Sequence, residues 1–296
     1  MSSRVNIWLL RVAWVTLPLT AGPAAVDALA PWSRAPRVTA EVLLWSAWAV
    51  VLLATFVPRP LSLTVIRTGA PLAFASALLA VVSGEPSAVA GAAAVVATAV
   101  AMVAASTPAV GRACAQGAAY GDEERFPLQV PPALFLGVLP LAVLAVGAGI
   151  ATGPLLLADG QVVAGVIALV VGLPIAVALS RSLHLLSRRW VVLVPAGLVI
   201  ADPMTLADPV LFPRDHVLGL GPADPRRRPG PEALDLRLGA ASGSSALLLD
   251  EDVDIYRRGR NRATGVRTHL LLIAPVASRE LMARAAARRI RVREAK

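Results

Sequence analysis

Through the first 185 residues the apolar positions run in long stretches with few charges between them. Beyond that point they come in short runs cut by proline, glycine and aspartate. A helix that crosses a bilayer takes about 20 mostly apolar residues. Six stretches approach or meet that length: residues 7–29, 42–57, 61–82, 88–106, 132–157 and 161–186. Their joins read as short turns at Pro31 to Arg37, Pro58-Arg59-Pro60, Ser83 to Pro86 and Asp159-Gly160. Thr107 to Val130, with Arg112, Cys114 and the run Asp122-Glu123-Glu124, reads as a solvated loop.

After Arg189 the pattern is that of strands and turns. Strands are predicted at 190–194, 198–201, 210–212, 216–220, 234–238, 246–249, 253–256 and 268–273, with a hairpin turn at Pro195-Ala196-Gly197. Asp235 and Arg237 alternate with leucines, as in a sheet with one wet face. Leu281, Ala285, Arg288 and Val292 recur at helical spacing and predict a terminal amphipathic helix over 278–292. The expected architecture is a membrane α-helical bundle over residues 1–186 followed by a small cytosolic β-rich domain over 187–296 that closes with that helix.

Composition agrees with a bilayer environment, since 56% of the residues are hydrophobic and soluble domains hold roughly 45–50%. The net charge of +9 is unevenly spread. Residues 1–185 carry nine Arg against seven acids, a balance of +2, and residues 186–296 carry eighteen Arg and one Lys against twelve acids, a balance of +7. Cytoplasmic loops hold an excess of arginine and lysine. With six spans both termini share the side of Arg4, Arg59, Arg112, Arg125, Arg181, Arg188 and Arg189, whereas the other side holds Arg34 and Arg37 with Glu41, Glu85 and Asp159. A bacterial inner-membrane protein with both termini cytosolic is therefore expected, and the high Arg, Ala, Gly and Pro content fits a GC-rich bacterial genome. Arg11 interrupts the first apolar run, so a retained helix is expected there in place of a cleaved signal.

Candidate chemistry is sparse. Arg11 and Arg67 are the intramembrane charges, and an ionisable residue within a span is a functional candidate by default; each lies close enough to a span end to snorkel. No carboxylate, lysine or histidine sits mid-span, which argues against an ion-coupled carrier. Pro18, Pro71, Pro140 and Pro174 interrupt helices, Gly149 with Gly153 allows close helix approach, and Trp8, Trp14, Trp32, Trp45 and Trp48 suit an interfacial belt. Cys114 is the one cysteine, and His184, His216 and His269 are widely spaced singles, so no metal site, cofactor or catalytic residue is expected.

Roughly seven short strands and one helix directly after a span, together with Arg189-Trp190-Val191-Val192-Leu193-Val194-Pro195-Ala196-Gly197-Leu198, resemble uncharacterised actinobacterial multi-pass membrane proteins that carry a C-terminal bacterial pleckstrin-homology-like domain. The resemblance implies a small curved sheet used for binding or assembly, and no catalytic residue. The residues expected to meet anionic lipid headgroups or a protein partner are Arg188, Arg189, Arg226, Arg227, Arg228, Arg257, Arg258, Arg260, Arg288 and Arg289. Their clusters lack interleaved aromatics and any helix-turn-helix or zinc-finger spacing, so nucleic acid is not an expected partner. The chain thus reads as a non-enzymatic membrane anchor for a binding domain. The other reading is a transporter or channel subunit with a regulatory cytosolic domain.

Overall fold

A computed structural model of the chain describes residues 3–135, 137–224, 230, 232–259 and 262–293. The chain divides into two units. One comprises Met1–Cys114 and Gly137–His184, and the other Ala115–Leu136 and Leu185–Lys296.

The first unit is helical. It begins with α1 (Ser3–Val15), α2 (Leu17–Thr20) and α3 (Gly22–Leu29), followed by α4 (Arg34–Phe56), α5 (Pro60–Gly84) and α6 (Ala88–Ser106). The segment after α6 carries α7 (Pro108–Gln116), strand β1 (Glu124–Pro127) and the short α8 (Pro132–Phe135), before α9 (Val138–Ala158) and α10 (Val162–Leu186) return to the bundle. Among the described residues, α4, α5, α6, α9 and α10 are the helices long and apolar enough to cross a membrane. Many of their large side chains point outward, Leu79, Val82, Val89, Val163 and Val170 among them, as a lipid solvent allows.

The expected first span, residues 7–29, is therefore not one helix but three consecutive pieces. The breaks fall beside Pro18 and Pro23, which lack the N–H that a continuous helix needs. They are kinks and not reversals: Thr16 and Ala21 stay in the right-handed helical region, and the bonds Thr20 N–H to Thr16 O and Ala25 N–H to Ala21 O cross the joints. Leu10, Trp14 and Leu17 join one cluster with Val51 and Ala54 of α4, Leu63 and Ile66 of α5, and Ala101 and Ala105 of α6, while Ala24 and Ala28 pack with Ala77 and Ala80 of α5. In the broken segment α1 and α2 lie against α6, and α3 lies along α5.

Pro18 also leaves the Trp14 carbonyl without its usual donor four residues on. Trp48 of α4 fills the gap, its indole N–H donating to Trp14 O at 2.9 Å, and the Trp14 indole returns a bond of 2.9 Å to Trp48 O. Trp14 is accordingly buried, whereas Trp8, Trp32 and Trp45 are exposed as interfacial tryptophans would be. Trp48→Phe keeps a ring in place but removes the donor, and is expected to lower bundle stability by about 1–2 kcal/mol, measured by denaturant titration in detergent.

Prolines elsewhere behave differently from expectation in one case. Pro140 sits in the first turn of α9, where a missing N–H costs little, and Pro154 is the proline inside that helix. Pro71 and Pro174 lie inside α5 and α10. Gly149 packs against Gly172, where an added Cβ would stand 2.5 Å from the Gly172 carbonyl oxygen, so α9 and α10 meet backbone to backbone.

The second unit holds two antiparallel-based sheets. The first runs β1-β2-β3-β4, with β2 (Trp190–Val194), β3 (Gly197–Ala201) and β4 (Val210–Pro213). The second runs β5-β7-β8-β6, with β5 (Val217–Pro222), β6 (Ala233–Asp235), β7 (Ser245–Arg257) and β8 (Thr264–Ile273); β6 pairs with β8 in parallel. The predicted β2–β3 hairpin forms with Val194 opposite Gly197. The runs predicted at 246–249 and 253–256 are one strand, β7, bulged between Leu248 and Val253. Phe126, Leu193, Leu198, Phe212, Leu247 and Leu271 from the two sheets share one core with Leu281 and Ala285 of α11 (Ser278–Ala287). The terminal helix stops five residues short of its expected end, because Arg289 turns to φ 63° and the chain beyond pairs instead with β5, bonding Leu220 N–H to Arg291 O and Arg293 N–H to Leu220 O at 2.9 Å each.

Strand β1 comes from the segment read as a solvated loop. It lies antiparallel to β2, with Glu124 opposite Leu193 and Pro127 opposite Trp190. Backbone pairing cannot cross a bilayer, so if α9 and α10 cross one they would cross as a pair, with residues 124–127 and 190–194 on one side.

Candidate functional site

The arginines singled out from sequence fall into different environments. Arg189 is 2% exposed and does not face solvent. Its guanidinium grips Asp202 with two bonds, Nε to Oδ1 and Nη2 to Oδ2, each 2.8 Å, and also donates to the carbonyls of Gln129 at 2.7 Å and Leu236 at 3.1 Å. A buried charge survives only when paired and fully bonded. Here the ends of β3 and β6 and the segment after β1 all converge on one side chain, so Arg189 organises the unit and is not a headgroup contact.

Arg288 is half-buried and committed to the first sheet: it donates to Glu124 Oε1 at 3.1 Å, to the Asp122 carbonyl, and to the Leu193 carbonyl at 3.3 Å. Arg284 joins it at Glu124, 3.5 Å away. Arg188, Arg257, Arg258 and Arg289 are exposed, Arg258 donating to the Pro203 carbonyl at 2.7 Å. Arg226, Arg227, Arg228 and Arg260 lie outside the described residues. Arg237, which sequence reading took only for strand alternation, is buried and bonded to Asp235 at 2.8 and 2.9 Å. Burial alone would raise the Asp235 carboxyl, but these bonds outweigh it and hold the group below its usual range.

In the helical unit Arg11 is also occupied. It donates to the Thr55 carbonyl at 2.8 Å through Nη2 and packs over the rings of Trp8 and Phe56, 5.0 and 4.7 Å from their centroids. Thr55 lies in the last turn of α4, where carbonyls lack helical partners and a cation meets the negative end of the helix dipole. Arg67 is half-buried beside α7: a Cβ on Gly111 would sit 3.0 Å from its Nη2. Cys114, one turn farther along α7, is buried, and that burial pushes its thiol up to about 11, away from thiolate reactivity. His184 Nδ1 and Thr64 Oγ1 are 2.9 Å apart and tie α10 to α5.

The two remaining histidines are not isolated as their spacing suggested. His216 stands 3.2 Å from Asp250 and His269 2.9 Å from Asp252, both aspartates lying in the β7 bulge. Two bends of the chain bring these pairs together, a juxtaposition that sequence spacing does not encode. No group of three or more His, Cys, Asp or Glu with metal-holding geometry occurs among the described residues.

No protein-family description matches the chain, and neither a curated protein nor a solved structure is significantly similar to it.

Proposed function

We propose that the chain is a non-enzymatic membrane anchor that holds a pleckstrin-homology-like domain at the cytosolic face of a bacterial inner membrane, where the domain binds anionic lipid or a protein partner. The observation that carries this reading is the β-rich unit itself: two sheets and one C-terminal helix around a single core, assembled from segments on both sides of the α9–α10 pair. Six crossings, counting α1 to α3 as one, put both termini on the arginine-rich side, and the packing of all three pieces against α4, α5 and α6 supports the count. The transport reading draws less support, because the roughly 600 Å³ groove between α9 and α10 is lined by Ala, Gly, Ile and Val, with Thr152 alone offering a hydroxyl.

The test is hydrogen exchange on the full-length protein in phosphatidylcholine vesicles with and without phosphatidylglycerol. At low salt, amides of 185–293 are expected to exchange more slowly in the anionic vesicles and to recover at high salt, as surface electrostatics require. Identical exchange in both would remove the lipid from the proposal and leave the protein partner.

A further inference from the structure

We infer that the distal β7–β8 ribbon is the element through which the β-rich unit engages anionic phospholipid headgroups; this deepens, and rests on, the binding role proposed above. Beyond Val253 and Thr268 the sheet narrows. β5 pairs with β7 only up to Leu249 and β6 with β8 only from Leu270, so the ladder from Val253–Thr268 to Arg257–Thr264 runs on as two strands. It is not loose. Ala207 N–H donates to Tyr256 O and Arg258 N–H to Thr205 O, each 2.9 Å, and Leu206 bridges to Arg257, so the 205–207 loop braces the ribbon from one side. Ile255, buried in the core, fixes its inner face.

Asp254 stands opposite Arg267 at the base of the ribbon, and only beyond Asp254 is the charge one-signed. Residues 255–268 contain five Arg and no Asp or Glu. Arg257, Arg258 and Arg262 are exposed, whereas Arg267 stands opposite Asp254 and 3.8 Å from Asp252. Arg284 of α11 and Arg288 at its C-terminal end differ, because both pair with Glu124. Among these arginines stands Tyr256, 59% exposed and opposite Gly265, which offers no side chain to cover it. Cations around an exposed phenol suit a phosphate-rich interface, where arginine meets phosphate with paired donors and tyrosine settles at headgroup depth. The bilayer is the favoured occupant over an acidic protein because the chain's own spans keep one within constant reach, so weak contacts act at high effective concentration.

The test uses the full chain with a nitroxide at Ala263→Cys, or separately at Ala241→Cys on the same unit, in a Cys114→Ser background. Both are reconstituted in phosphatidylcholine vesicles with or without phosphatidylglycerol. The label at 263 is expected to lose mobility and water access only with phosphatidylglycerol, and Arg257→Gln with Arg262→Gln is expected to reverse most of that change. The charge-matched pair Arg279→Gln with Arg291→Gln is expected to leave it intact. A silent 263 label overturns the ribbon assignment, as does an equal response to the two double variants, which would mean that charge acts diffusely. If 263 is silent while exchange across the unit still slows with anionic lipid, the ribbon fails and the lipid-binding role stands; if both are silent, both fail.

Discussion

Asp202→Ala is expected to destabilise the β-rich unit by about 3–5 kcal/mol, because it strands the Arg189 guanidinium in a site where water cannot replace the lost carboxylate. That is a large share of the roughly 5–15 kcal/mol that holds a typical domain folded. The paired change Arg189→Met with Asp202→Leu removes both charges and is expected to cost less than the single one, although the Gln129 and Leu236 carbonyls then lose their donors. Global exchange protection of the β2 and β3 amides reports the difference. Equal costs for the single and the paired change would show that the uncompensated charge is not what matters there.

The second large effect concerns β1. Phe126 is 1% exposed in the shared core, and Leu128 follows it there. Phe126→Ala is expected to cost about 3–5 kcal/mol in the full chain. Removing the strand outright goes further. A fragment of 185–296 exposes the edge of β2 and leaves the core open, so it is expected to show no cooperative unfolding transition by circular dichroism. A fragment in which residues 115–136 are joined to 185–296 by a flexible linker is expected to regain one. A cooperative transition in the shorter fragment would mean that β1 is an accessory to the fold.

These two features also mark where the sequence was readable and where it was not. Five of the six expected spans appear because bilayer crossing is a local, length-based signal. The first, residues 7–29, is not one helix because Pro18 and Pro23 break it while leaving the apolar run unbroken. The hairpin at Pro195-Ala196-Gly197 was legible from turn chemistry alone, and so were most of the strand positions after it, though not their order in the sheets. β1 was not. Its four residues, Glu-Arg-Phe-Pro, are short, half charged and end in proline, and the partner that makes them a strand lies beyond two spans. Arg189 failed for the same reason: an arginine that follows a span reads as a positive-inside marker, and only the arrival of Asp202, Gln129 and Leu236 turns it into a core residue. The exposed arginines of the ribbon were legible as a cluster, while the bracing of the ribbon that carries them depends on the 205–207 loop.

The placement of β1 ahead of α9 sets an order of events during synthesis. The strand leaves the ribosome before α9 and α10 exist, and β2 follows only after both have been made. The first sheet therefore stays incomplete until the last pair of helices has been inserted, and a pair that failed to return to its starting side would leave β1 and β2 separated by the bilayer. An unpaired β2 edge would then mark a chain in which those two helices had not returned to their starting side.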